Sequence, residues 1–305
     1  MKAENRIQYT RNPDIDRIKW DQCIHKSGNS LIYAHSFYLD RMAAHWDALV
    51  LDDYRAVMPL PWKSKFGIRY LYQPFLTAQL GIFGDYSPEI NTGNFIAAIP
   101  AVFKLAELPL NYGNWHDLSD TRIRSRENLI LELNNPYEDL VTRYSENTRR
   151  NIKKAYQAGC SVIEEPGAEA VIGLALDRMK KQDRNIRENV KRFRSLYKDL
   201  EEKNQTRTLG IQKEGRLLSS GVFFVSGKRA YYILVGNHPD SRVAGASHAL
   251  IDAFIRANAG TDLVLDFEGS DIPGLASFYQ GFGAQSQPYP FLQINRLPFY
   301  LRWLK

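Results

Sequence analysis

The order of elements that hydrophobic periodicity predicts in the first half of this chain recurs in the second, and that recurrence limits the fold more than any one motif. Asn12-Pro13-Asp14 reads as a cap, a first-turn proline and a first-turn acid, opening a helix over 12–26 with Ile15, Ile18, Cys23 and Ile24 toward the core. A second helix covers 36–44. The period then becomes strand-like in DALVLDD, YRAVMPLPW and IRYLYQPFLTAQLGIFG, before a helix over 91–104 and the strand NLILEL. The second half opens with the strand CSVIEE and amphipathic helices over 168–181 and 190–203. A meander follows, TRTLGIQ, RLLSSGVFFVS and RAYYILVG, and then a helix over 245–258, the strand DLVLDF, a short helix over 274–280 and the strand PFLQIN. Residues 54–62 correspond to 216–225 and residues 129–133 to 291–294, an offset of about 150 to 160 residues. A chain of 305 residues suffices for two domains, each with its own core. The expected class is α+β (mixed α/β), with domains at 1–140 and 141–305. The competing reading is one large α+β domain in which helices and hairpins recur without duplication.

The join falls at 134–147, where an Asn-Pro turn precedes YSENTRRNIKKAYQAG, a helix capped by Ser145 or Asn147 and stopped by Gly159. Charge is concentrated from here on. Residues 143–198 hold 14 Lys or Arg against 7 Asp or Glu, while the rest of the chain is close to balance within a net charge of +6. Arg149, Arg150, Lys153 and Lys154 stud the linker helix, and a basic surface of this size suits a polyanion such as tRNA, a nucleotide sugar or a pyrophosphate-bearing cofactor. The competing reading is a pair of solvated helices with lysine-rich outer faces.

Several classes are excluded. The amino terminus is polar, and the most apolar helix-like stretch, 95–110, is broken by Pro100, Lys104, Glu107 and Pro109, so neither a signal peptide nor a membrane span is expected. Cys23 and Cys160 lie far apart with no CxxC spacing and no His/Cys cluster, which suggests neither a disulfide framework nor a metal site. A cytoplasmic protein is expected.

Two segments can carry chemistry. In HPDSRVAGASHALIDAF a strand ends in a loop of small residues that opens a helix. Backbone N–H groups there, with the positive end of the helix dipole, can hold a phosphate or an oxyanion. Arg242, Gly245, Ala246 and Ser247 would line that site, and His248 sits in the first helical turn. A plain capped turn competes with this reading. In DFEGSDIPGLASFYQGFGA a strand stops on Asp266 and Glu268, which alternation places on one face. A carboxylate at the carboxyl end of such a strand can take a proton from an attacking amine. Tyr279 can give one to a leaving group. The competing roles are a helix cap for Glu268 and a core aromatic for Tyr279. The two segments are expected to open onto one hollow.

Arg242-x-x-Gly245-x-Ser247 resembles the Arg/Gln-x-x-Gly-x-Gly/Ala signature of the GNAT acyltransferase superfamily, with Ser247 where the signature has Gly or Ala. SFYQGFGA resembles the late GNAT segment in which a tyrosine precedes a Gly-Phe pair. With YSENTRRNIKKAYQAG upstream of DFEGS…GLASFYQGFGA, the chain resembles the Fem family of peptidoglycan bridge-forming aminoacyl transferases. The resemblance implies two tandem GNAT-like domains, each a mixed, mostly antiparallel sheet flanked by helices. It also implies transfer of an acyl or aminoacyl group from an activated ester to an amine without metal. The implied donor is aminoacyl-tRNA or acyl-CoA as co-substrate, with no tightly bound cofactor. The implied acceptor is a small-molecule or cell-wall-precursor amine. The second domain would hold the donor, and the first would bind the acceptor or serve as scaffold. The sequence lacks the long paired-helix arm that several Fem proteins insert in the second domain, the alternative being residues 168–203 as a shortened one. Two further readings remain: a non-catalytic tRNA- or RNA-binding protein using the basic surface, and a GNAT relic whose site has decayed.

Overall fold

The structure is a computed structural model and describes residues 6–85, 91–115, 123–182, 185–269 and 271–299. It divides into two units, residues 1–126 with 288–305, and residues 127–287.

The first unit contains β1 (Ile7–Thr10), α1 (Arg17–Lys26), α2 (Ser36–Met42), β2 (His45–Leu51), β3 (Ala56–Lys65), β4 (Ile68–Leu71), β5 (Phe83–Gly84), α3 (Thr92–Ala98), β6 (Phe103–Pro109) and β7 (Ile123–Arg126). Asn12–Asp14 form only a 3-10 turn. The helix proper starts later, capped by the Asp16 carboxylate, which accepts from the N–H groups of Ile18 and Lys19. That later start changes the inward stripe to Trp20, Cys23 and Ile24 and leaves Ile18 72% exposed, where the sequence predicted it in the core. The helix predicted over 91–104 ends at Ala98, ahead of Pro100, and residues from Phe103 pair as a strand instead. Gln73 and Gln79 are satisfied by backbone: the Gln73 amide donates to the Thr77 carbonyl at 2.7 Å, and Gln79 accepts from the Tyr112 N–H at 2.9 Å.

The second unit contains β8 (Leu129–Glu132), α4 (Tyr137–Thr142), α5 (Glu146–Gln157), β9 (Ser161–Glu164), α6 (Ala168–Gln182), α7 (Ile186–Glu201), β10 (Thr206–Lys213), β11 (Arg216–Ser226), β12 (Arg229–Asn237), α8 (Ser241–Ala244), α9 (Ala246–Asn258), β13 (Val264–Asp266), α10 (Pro273–Gln280) and β14 (Gln285–Ser286). The last strand, β15 (Tyr289–Asn295), belongs to the first unit.

The two sheets have the same strand order. One runs β1-β2-β3-β4-β6-β15-β7, with β5 beside β3, and the other runs β9-β10-β11-β12-β13-β8-β14. Each holds a single parallel pair, β4 with β6 and β12 with β13, in an otherwise antiparallel ladder. The predicted α+β class with two mixed, mostly antiparallel sheets is therefore observed. The units do not break between residues 140 and 141. Each half's last strand hydrogen-bonds into the other half's sheet, β8 beside β13 and β15 beside β6, which moves the breaks to 126/127 and 287/288.

Helices α6 and α7 are not a projecting arm. Val190, Phe193, Leu196 and Leu200 of α7 are buried, and Phe193 stacks on Phe224 of β11 at 5.8 Å. Their apolar faces cover the sheet while Lys180, Lys191 and Lys198 are exposed, as amphipathic periodicity dictates. No helix among the described residues is long and apolar enough to cross a membrane.

Candidate active site

Strands β12 and β13 run parallel for only three pairs, from Arg229 opposite Val264 to Tyr231 opposite Asp266. Beyond that point β12 continues to Asn237 with β11 as its strand partner, while the Phe267 N–H turns to the Leu129 carbonyl. The two strands part where β13 ends and β12 runs on, on the carboxyl side of the parallel pair, the side where open sheets with parallel pairs receive ligands. A bulge lies at the parting: Phe223 faces Tyr232 and Val222 faces Leu234, so Ile233 is the extra residue in β12. Bulges re-aim neighbouring groups and recur beside active sites. The unbroken apolar run RAYYILVG gives no sign of either feature, and the sequence reading missed both.

The two acidic residues have separate fates. Asp266 is 1% exposed; one carboxylate oxygen pairs with the Arg229 guanidinium, and the other accepts the Glu268 N–H at 2.9 Å. Arg229 also donates to Gln287 at 3.2 Å. The strand ends at Asp266, so alternation stops there and does not set both carboxylates on one strand face. Glu268 lies past the end, half-buried, with φ at 66°. A left-handed non-glycine residue costs roughly 1–3 kcal/mol, and such residues cluster at functional sites. The buried ion pair supplies the acceptor that holds Glu268 in this conformation.

Tyr279 lies on α10, 5% exposed, its ring stacked on Phe267 at 4.3 Å. It shares the apolar core with Tyr232, whose phenol burial pushes well up.

The small-residue loop folds as α8, then Gly245 at φ 74°, then α9. The Gly245 N–H caps α8 on the Ser241 carbonyl, and the His248 and Ala249 N–H groups return to the Gly245 carbonyl. Helix geometry leaves the N–H groups of Ala246 and Ser247 without an intrahelical acceptor. A Cβ on Gly245 would strike the Asn151 carbonyl of α5, so helix packing alone demands glycine here. The Ser247 hydroxyl bonds Asn237 at 2.9 Å and Ser241 at 2.8 Å, tied to the end of β12. Arg242 is exposed on α8.

Helix α5 joins the two segments that carried the resemblance. Ser145 is its cap, and the Ser145 N–H donates to the Gly281 carbonyl at 2.8 Å. A Cβ on Gly281 would meet the Thr148 hydroxyl at 2.6 Å. The glycines at 245 and 281 thus both face α5. Thr148 and Ala155 are buried, while Arg149, Arg150, Lys153 and Lys154 are exposed on the opposite face. This collects the four charges on one side.

A run of aromatic contacts links the first turn of α9 to the residue before Glu268. His248 meets Phe278 edge-on at 4.7 Å, Phe278 lies 5.4 Å from Tyr279, and Tyr279 stacks on Phe267 next to Glu268. Burial pushes the His248 imidazole down to about 4, so it is neutral at physiological pH. The unfolded ring titrates near 6.5. Between pH about 6.5 and 4 the unfolded chain therefore binds more protons, and stability falls as the solution is acidified. His248→Phe keeps the ring contact with Phe278 and removes the proton. It is expected to flatten the acid-side loss of stability, by about 1–2 kcal/mol at pH 4 with the ring's partial exposure taken into account. Melting curves of both proteins across this range check it. Among the described residues, no group of three or more His, Cys, Asp or Glu side chains is placed to hold a metal ion.

Residues 142–273, inside the second unit, match the family model described as an acetyltransferase (GNAT) domain. The chain is similar in fold to the crystal structure of FemX, with a TM-score of 0.63 at 13% identity over 96% of this chain and 98% of that one. It is also similar to a tandem GNAT protein from the clavulanic acid biosynthesis pathway, TM-score 0.53 at 11% identity over 96% and 99% of the two chains. L-PGS from Bacillus licheniformis gives 0.51 at 11% identity over 96% and 94%. No curated protein matches the sequence. The fold is that of tandem GNAT proteins, and the match to the GNAT domain model lies within the second unit.

Proposed function

We propose that this protein is an N-acyltransferase of Fem-like plan, passing an acyl or aminoacyl group from an activated ester to an amine. The observation that carries the proposal is the parting of β12 and β13 with Glu268 held just beyond it by the Asp266 acceptor. In the proposed step the amine nitrogen attacks the donor carbonyl carbon, a C–N bond forms, and the C–O or C–S bond of the donor breaks. Glu268 takes the proton lost by the attacking amine and passes it to the leaving oxygen or sulfur, which departs as the hydroxyl or thiol. The Ala246 and Ser247 N–H groups at the start of α9 hold donor phosphate or the carbonyl oxygen, with His248 beside them as a neutral ring. Asp266 acts as a positioning residue through Glu268. Orienting two bound reactants would supply a large share of the rate, about 7–11 kcal/mol in favourable cases.

The exposed row Arg149, Arg150, Lys153 and Lys154 supports aminoacyl-tRNA as donor, because its charges lie together on one face of α5. The likeness to a tandem GNAT protein described as lacking AcCoA keeps acyl-CoA as the second donor class. The acceptor proposed is a small-molecule or cell-envelope-precursor amine, bound by the first unit. A second reading, a GNAT fold that no longer transfers, is favoured by the burial of Tyr279 and the rings beside Glu268.

The test is a transfer assay with aminoacyl-tRNA and with acyl-CoA against a panel of amines, products read by mass. Turnover with one donor supports the proposal; none with either favours the second reading. Replacing all four α5 cations by Glu is expected to reduce aminoacyl-tRNA use at least tenfold at low salt and to leave small-donor turnover unchanged.

A further inference from the structure

We propose that the β3–β4 hairpin of the first unit docks the protein on an anionic lipid surface, with Phe66 as the inserted tip. The inference is independent of the transferase reading. Strands β3 and β4 pair out to Lys65 opposite Ile68, leaving Phe66 and Gly67 as a two-residue turn. Both have positive φ, 53° and 76°. Such a turn wants Asn, Asp or Gly at its first central position, since a side chain there strains the backbone. The chain instead carries a phenylalanine, 87% exposed, so burial on folding returns almost nothing for that strain. A residue that breaks the local rule and also wastes its apolar surface points to a partner outside the chain.

The surroundings fit a lipid headgroup layer. Residues 61–72, PWKSKFGIRYLY, hold four aromatics and three cations and no acid. Lys65 lies over the Phe66 ring at 5.5 Å and Lys63 over Tyr72 at 4.3 Å. Phe66, Ile68, Leu71 and Leu297 line a hollow of about 310 Å³, in which Glu107 is the one carboxylate. Phe299, two residues beyond Leu297, is 82% exposed; it and Phe66 are the most exposed large apolar residues described. Tyrosines with an apolar body and a polar tip suit the interface, lysine stems snorkel, and each cation adds attraction to anionic lipid.

A basic hairpin also attracts nucleic acid, but the rings argue for lipid. Single strands bind on successive open aromatic faces. Here the neighbouring Trp62 ring is stacked with His45 at 4.5 Å and lies under Arg69 at 5.0 Å, so it offers no open face beside Phe66 on which a base could stack.

The test uses the full chain in a flotation assay with phosphatidylglycerol–phosphatidylcholine vesicles and with phosphatidylcholine vesicles. Wild type is expected on the anionic vesicles only, less so as salt rises. Phe66→Asn suits the turn, so it is expected to raise Tm by a few degrees while weakening vesicle partition about tenfold. Lys65→Gln is expected to weaken partition about fivefold without moving Tm. The proposal is overturned if wild type stays off anionic vesicles, or if Phe66→Asn partitions as wild type does. It is also overturned if Phe66→Asn abolishes binding to a single-stranded oligonucleotide by a protein that ignores vesicles.

Discussion

Glu268→Gln is expected to lower the turnover number for acyl transfer by about a hundred- to ten-thousand-fold, the range that a positioned general base contributes. The substitution keeps side-chain length and leaves the backbone, with its φ of 66°, under the same constraint. Stability should therefore change by no more than about 1 kcal/mol, since Gln keeps the length and one acceptor oxygen of the half-buried side chain. Because Gln cannot take the amine proton, the loss should fall on kcat, with KM for either substrate close to wild type. Raising pH should restore part of the rate, since hydroxide can take the proton that Gln cannot. A variant with full activity would remove Glu268 from the chemistry. A variant that loses activity and melts early would show instead that the side chain supports the loop.

How much of this arrangement was legible depended on distance along the chain. Local signals read well: the Ser145 cap of α5, the meander over 206–237, and the helix after Gly245 all stand where periodicity and capping chemistry set them. Element order gave the two-fold plan, since equivalent strands occupy equivalent places in both sheets. Long-range pairing did not read. Nothing in NLILEL or PFLQIN says which sheet each will join, because an apolar strand fits any open edge of matching length. The exchange of β8 and β15 was therefore invisible, and with it the breaks between units. The candidate site suffered in the same way. Asp266 and Glu268 look equivalent two residues apart, and only the position of Arg229, 37 residues upstream, separates a buried ion-paired carboxylate from one left at the edge. Gly245 was read as ligand-facing and Gly281 only as part of a resemblance, although α5 packs against both. A glycine required by a distant helix has the same letter as one required by a phosphate.

Arg229→Met is expected to cost about 3–5 kcal/mol, because it strips the partner from a carboxylate whose side chain is 2% exposed. Arg229 itself is nearly as enclosed, with a side chain 12% exposed, so water cannot replace it without opening the sheet at Tyr231 and Asp266. Asp266→Leu alone should also destabilise, by taking the carboxylate away from a guanidinium that stays largely buried. The double variant is expected to recover most of the stability, since apolar residues of similar volume often replace a buried pair at little or no net cost. A double-mutant cycle on urea midpoints would read the coupling between the two side chains. Activity should not follow stability. The Glu268 N–H loses its acceptor at 2.9 Å in every variant that lacks Asp266. Transfer should then stay low in the refolded, stable double variant, with kcat reduced while thermal melting is near wild type. That separation is what a positioning role for the buried pair requires, because a purely structural pair would restore activity and stability together.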